Sequence, residues 1–195
     1  MRTKVIGIIG GAGSGKTVVL KIMEEKFGAR VIIADEVARK LSMPGGESYE
    51  KIVAFFGRGI LMDDGTIDRG KLAAIVFNHR ELLDKLNGIV HPDVRAAIEK
   101  EIKDCQGVSP LVVLEAALLV ECGYRDICDE FWYVHSDEAV RRKRMKETRG
   151  YSDEKIDSIL RNQLSEKEFL ENSDRVLENN SDIENLEKEI EKNLI

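Results

Sequence analysis

Val5-Ile6-Gly7-Ile8-Ile9-Gly10-Gly11-Ala12-Gly13-Ser14-Gly15-Lys16-Thr17 decides the reading of this chain. An apolar run the length of a buried strand passes directly into Gly10-x-x-x-x-Gly15-Lys16-Thr17, the spacing of a phosphate-binding loop. Glycines there let backbone N–H groups turn toward a polyphosphate that side chains would keep out. The helix expected from about Lys16 to Phe27 points the positive end of its dipole at the same anion. Gly11, Ala12, Gly13, Ser14, Gly15, Lys16 and Thr17 are therefore the expected contacts of a nucleoside triphosphate. Lys16 reaches the β- and γ-phosphates, and the Thr17 hydroxyl is a ligand for Mg²⁺. A glycine-rich turn that only connects strand to helix is the alternative, but it requires neither the lysine nor the hydroxyl.

Further strand-like runs follow at Arg30–Ile33, Leu111–Leu114, Phe131–Val134 and, more weakly, Arg175–Leu177. They are short, rich in Val and Ile, and separated by helical patterns, which predicts a three-layer α/β fold with a five-stranded, mainly parallel sheet. The glycine loop then falls at the carboxyl end of the first strand, where open α/β sheets bind ligands. The expected core comprises residues 1–35, 106–139 and 171–195. Residues 36–105, punctuated by Pro44-Gly45-Gly46, Asp63-Asp64-Gly65 and His91-Pro92, form a helical insertion far longer than a crossover helix, with Pro92 expected to open a helix and His91 near its N-cap. Residues 140–170 carry Arg141, Arg142, Lys143, Arg144, Lys146 and Arg149 and read as a basic lid. The last helix is expected to open with a Ser181-x-x-Glu184 capping box and to bury Ile183, Leu186, Ile190 and Leu194.

The chain has 195 residues, 43% of them hydrophobic, enough for one sizeable core. Its net charge of −6 argues against nucleic acid as the main partner. Three cysteines, Cys105, Cys122 and Cys128, are too few and too odd in number for a disulfide framework, and they read as reduced thiols of a cytoplasmic protein. No apolar run approaches a membrane span, and Val5–Ile9 is too short for a signal peptide. A monomer or weak homo-oligomer with a small-molecule substrate is expected.

Downstream residues separate the classes of P-loop protein. The chain has no Asn-Lys-x-Asp motif for reading guanine and no Leu-Ser-Gly-Gly-Gln of transporter ATPases, which leaves a small-molecule kinase as the favoured class. Glu115 follows Leu111-Val112-Val113-Leu114 and so stands at a strand's carboxyl end. There an acid meets Mg²⁺, usually through water; a plain strand-end charge is the alternative.

The loop, then Ala34-Asp35-Glu36-Val37-Ala38-Arg39, Phe56-Gly57, Asp64-Gly65, Arg69-Gly70-Lys71-Leu72, Val76-Phe77-Asn78, Val90-His91-Pro92 and Glu115-Ala116-Ala117-Leu118-Leu119-Val120-Glu121 resemble the dephospho-CoA kinase family in order and spacing. Gln163 and Val176-Leu177-Glu178-Asn179-Asn180 extend the match over most of the chain. The resemblance implies transfer of the ATP γ-phosphate to the 3′-hydroxyl of dephospho-CoA, the last step of coenzyme A synthesis. It further implies Asp35, at the end of the second strand, as the base that takes the hydroxyl proton; an N-cap is its other reading. Arg39, one turn on, would hold the substrate or pair with Asp35, and His91 and Leu118 would line the substrate site, with core the alternative for Leu118. Asn179 would lie on the loop around the nucleotide base, or simply occupy a turn. The sequence departs from the family at Ile33, where an acid is frequent, at Ala117 for a proline, and at Thr148 for an arginine. Arg144 and Arg149 are jointly the expected lid cations over the transferred phosphate. A kinase for another hydroxyl or nucleoside monophosphate, and a nucleotide-dependent switch, remain the alternatives.

Overall fold

The computed structural model describes residues 2–116, 119–120 and 123–194, so Leu118, expected in the substrate site, lies outside the described residues, as do Ala117 and Cys122. The chain divides into two compact units, residues 1–32 with 105–195, and residues 33–104.

The first unit is organised by β1 (Lys4–Ile9), β3 (Leu111–Glu115), β4 (Glu130–His135) and β5 (Arg175–Glu178), with β2 (Arg30–Ile33) outermost. The sheet order is β2-β3-β1-β4-β5. β1 runs parallel to β3 on one side and to β4 on the other, and β4 runs parallel to β5. The near-continuous apolar character of the strands follows from burial on both faces of the sheet: Ile6, Ile8, Val112, Val113, Leu114, Trp132 and Val134 are buried, and the successive residues 112–114 point to alternate faces. Trp132 also finds a partner for its indole N–H, the Glu130 carboxylate at 2.7 Å.

α1 (Lys16–Phe27) follows the glycine loop at once and ends on Gly28, whose left-handed backbone (φ 64°) lets its N–H return to the Met23 carbonyl. After β4 come α6 (Glu138–Arg149), α7 (Asp153–Arg161) and α8 (Glu166–Glu171), and α9 (Ile183–Leu194) closes the chain against β5 and α1. α8 opens with a complete Ser165–Glu168 capping box. α9 does not open with the expected Ser181 box. Asp182 precedes the helix, and its carboxylate accepts the Asn185 N–H at 2.9 Å. Leu186 and Ile190 are buried as the helical spacing requires, whereas Ile183, in the first turn, is 58% exposed.

The second unit packs α2 (Ala34–Leu41), α3 (Glu47–Phe56) and α4 (Arg69–Phe77) against the long α5 (Arg80–Asp104). Ile52, Ile60, Ile67, Leu72 and Val76 form its core. Asp68 caps α4 by accepting the Lys71 N–H at 3.0 Å. Pro92 does not open a helix: it lies inside α5, with His91 in mid-helix beside it. Proline deprives the Gly88 carbonyl of its helical partner. Packing of three helices along α5 outweighs that local loss.

Candidate active site

The phosphate loop hangs from the carboxyl end of β1, residues 10–15 between Ile9 and the start of α1. Its glycines are required by geometry. Gly13 has φ 79° and a Cβ there would meet the Arg141 carbonyl at 2.8 Å; Gly15 has φ 96° and a Cβ would meet Asn179 Nδ2 at 2.1 Å. Lys16 folds back over the loop and donates from Nζ to the Gly10 carbonyl at 2.8 Å, with Glu115 Oε1 3.8 Å away. Glu115 is there because β3 registers it against Ile8, the last residue but one of β1. Thr17, second in α1, is exposed.

The loop's carbonyls need donors. The Ser14 carbonyl collects three: Asn179 Nδ2 at 2.7 Å, Ser136 Oγ at 3.1 Å and Arg144 Nη1 at 3.3 Å. Arg144 also donates to Ser136 Oγ at 3.0 Å and to the Asn179 carbonyl at 2.9 Å. All these acceptors are neutral, so no carboxylate offsets its charge at the loop. Asn179, 5% exposed just after β5, is thus a brace behind the loop as well as a wall of the cleft.

That cleft has a volume of about 510 Å³. It is walled by the loop residues Gly11, Ala12, Gly13, Gly15, Lys16 and Thr17, by Glu115, by Arg144 and Arg149 from α6, and by Asn179. Val18 and Ile183 give it an apolar side and account for the exposure of Ile183. Ser14, expected among the ligand contacts, is buried, and its side-chain oxygen has no hydrogen-bond partner. Arg149 is exposed, its guanidinium 5.9 Å from the centre of the Tyr151 ring. Thr148 directs its hydroxyl back to the Arg144 carbonyl at 2.7 Å.

Two further residues hold the loop. Arg141 Nε donates to the Ala12 carbonyl at 2.9 Å, and Gln163 Oε1 accepts the Ala12 N–H at 3.0 Å. The i, i+3 placement of Arg141 with Arg144 puts both guanidinium groups on the side of α6 that meets the loop. Neither Arg141 nor Gln163 was an expected site residue. Arg141 was marked only as one member of the basic run, and Gln163 only as part of the family resemblance, which gave it no role.

A second cleft, of about 420 Å³, lies within residues 33–104. It brings Asp35 and Arg39 of α2 together with His91 of α5, and adds Arg69 and Asn87, which were not among the expected site residues. Its floor is apolar, with Met43, Ile52, Ile67, Leu72, Leu86 and Val90. Asp35 does not end β2 and is not an N-cap: β2 stops at Ile33, which is itself the capping position, and Asp35 is exposed in the first turn of α2. Neither Arg39 nor Arg69 has a side-chain hydrogen-bond or ion-pair partner among the described residues. Two unpaired guanidinium groups above an apolar floor suit an acceptor with anionic and apolar parts.

Among the described residues no group of three or more His, Cys, Asp or Glu is placed to hold a metal, and no helix is long and apolar enough to cross a membrane. Cys105 and Cys128 are free, and burial pushes the Cys128 thiol up to about 12.

A parallel sheet with a glycine loop at the end of its central strand, a lysine across that loop and arginines behind it define a P-loop kinase. The chain belongs to the dephospho-CoA kinase family, whose model matches residues 4–185. It is 38% identical to the dephospho-CoA kinase of Carboxydothermus hydrogenoformans over 188 residues, covering 95% of this chain and 90% of that one. A crystal structure of a Thermus thermophilus protein superposes with a TM-score of 0.83 at 30% identity, covering 100% of this chain and 97% of that one. The dephospho-CoA kinase from Campylobacter jejuni shares the fold, with a TM-score of 0.66 at 23% identity over 98% of this chain and 96% of that one.

Proposed function

We propose that this chain transfers the γ-phosphate of ATP to the 3′-hydroxyl of dephospho-CoA, releasing ADP and coenzyme A. The observation that carries the reading is the loop cleft, in which Lys16 folds back over the glycine loop in a chain of this family. The hydroxyl oxygen forms a bond to the γ-phosphorus while the bond from that phosphorus to the β,γ-bridging oxygen breaks, and the hydroxyl proton passes to Asp35. Lys16 and the loop amides hold the β- and γ-phosphates, and Arg144 with Arg149 offset charge on the transferred group.

The residues present fit Mg²⁺, which asks few ligands of the protein: Thr17 would offer its hydroxyl, and Glu115, 3.8 Å from Lys16, would offer its carboxylate through water. When bound, the metal neutralises phosphate charge. Asp35, Arg39 and His91, with Arg69, bind the acceptor in the cleft within residues 33–104, and the helical insertion of residues 36–105 is the substrate-binding subdomain. Residues 140–170 act as a lid. The protein works in the cytoplasm as a monomer or weak homo-oligomer.

ADP production from Mg²⁺-ATP tests this, with dephospho-CoA, AMP, shikimate and no acceptor in parallel. ADP formed only with dephospho-CoA, with coenzyme A appearing by mass, is the expected result. ADP formed with another acceptor, or equally with none, rejects the assignment.

A further inference from the structure

The peptide groups on either side of the Ala12 Cα are both held by side chains from distant parts of the sequence. Gln163, between α7 and α8, takes the Ala12 N–H, and Arg141 of α6 takes the Ala12 carbonyl. Both lie directly over Gly11: a Cβ there would fall 2.3 Å from Arg141 Nη2 and 2.9 Å from Gln163 Oε1. A Cβ on Gly13 would likewise fall 2.8 Å from the Arg141 carbonyl oxygen. This part of α6 is therefore fitted against glycine backbone, and a side chain at either loop position would displace it.

Arg141 Nη2 is buried and has no hydrogen-bond partner among the described residues, and the side chain has no ion pair there. Burial lowers the Arg141 pKa, opposed by the neighbouring Tyr133, Glu138 and Glu166, yet a guanidinium remains charged at neutral pH. A half-buried cation with a buried donor to spare is costly unless its field acts on something. An anion held by the loop would lie one glycine away, within reach of that field.

We propose that Arg141 and Gln163 are positioning residues for the nucleotide. Together they fix the Ala12 peptide so that the following amides converge on the phosphates, and Arg141 adds a half-buried positive charge behind Gly11. The inference rests on the loop being a nucleoside triphosphate site, but not on the identity of the acceptor.

The test uses the full chain. ATP and ADP binding is titrated calorimetrically for the wild type, Arg141→Gln, Arg141→Lys and Gln163→Leu, with thermal melting of each and steady-state kinetics with dephospho-CoA. Arg141→Gln keeps a donor of similar reach and removes the charge, and it should weaken ATP binding about tenfold or more. Arg141→Lys keeps the charge and should recover at least half of that loss on a logarithmic scale. Gln163→Leu leaves the Ala12 N–H without its partner and should raise the KM for ATP about fivefold or more. In all three variants the KM for dephospho-CoA stays within about twofold of wild type. ATP affinity unchanged in Arg141→Gln and Gln163→Leu overturns the proposal, as does a fall in melting temperature with unaltered affinity of the folded protein. Failure of Arg141→Lys to outperform Arg141→Gln removes the role of the charge. A wild type that binds ATP but does not phosphorylate dephospho-CoA would reject the acceptor and leave the clamp standing; one that binds no ATP would reject both.

Discussion

The contact between Gly15 and Asn179 allows a double-mutant test of how the loop is braced. Gly15→Ala puts a methyl where φ is 96° and where Asn179 Nδ2 lies 2.1 Å away. The backbone strain costs about 1–2 kcal/mol. Asn179 must also withdraw, losing its bond to the Ser14 carbonyl, worth about 1 kcal/mol net. The carbonyl keeps Ser136 and Arg144 as donors, so no desolvation penalty is added. Gly15→Ala should therefore cost about 2–3 kcal/mol, or roughly 4–12 °C in Tm at this chain length. Asn179→Ala should cost about 1 kcal/mol for the same bond plus a small term for the void. In the double variant the bond can be lost only once, so the two single costs should exceed the double by about 1 kcal/mol. Urea unfolding of the four proteins measures this directly. Additivity within ~0.5 kcal/mol would mean that the methyl does not displace Asn179, and the proposed brace would be refuted.

Other perturbations reach different parts of the molecule. Lys16→Ala should lower kcat about 10²–10³-fold with little change in far-UV circular dichroism, and near-full turnover would remove Lys16 from the transition state. Asp35→Asn should lower kcat about 10²–10⁴-fold while the KM for dephospho-CoA moves less than about threefold. If KM alone rose, Asp35 would bind the acceptor and not take its proton. Asp174 is gripped by Arg125 and accepts the Phe131 N–H at 2.7 Å, which holds its carboxyl below the ordinary carboxylate range. A depressed folded-state pKa contributes stability above about pH 4 that is lost as pH falls through the folded value. Asp174→Asn should thus be less stable than wild type at pH 7, with the gap in urea midpoint closing below about pH 4; a gap constant across that window would contradict the pairing.

The strand, loop and first helix were legible because their chemistry is local: consecutive residues carry the glycines, the lysine and the helix start. The other strands were legible because buried parallel strands leave few polar positions. Where long-range packing decides, the local signals misled. Pro92 carries a helix-start signal, but α2, α3 and α4 packed along α5 keep the helix running through it. Ser181 and Asp182 compete as adjacent caps, and only the fold reveals which carboxylate or hydroxyl meets a free amide. Asp35 was placed one element early because a strand's last residue and a helix's first turn differ by two positions here. The grip of Arg141 on Ala12 spans a sequence separation of 129, beyond any pattern of spacing.

The central place of β1 also sets a timetable for the growing chain. Both of its neighbours are encoded late: residues 10–110 separate β1 from β3, and β4 is later still. At usual translation speeds, Ile6 and Ile8 wait on the order of 5–20 s before a pairing partner has been synthesised. The helices of residues 33–104, whose contacts close over shorter stretches of chain, are complete before then. During that interval the strand carrying the phosphate loop is an apolar segment with two open edges, the form in which a nascent chain is most exposed to aggregation and to holdase chaperones.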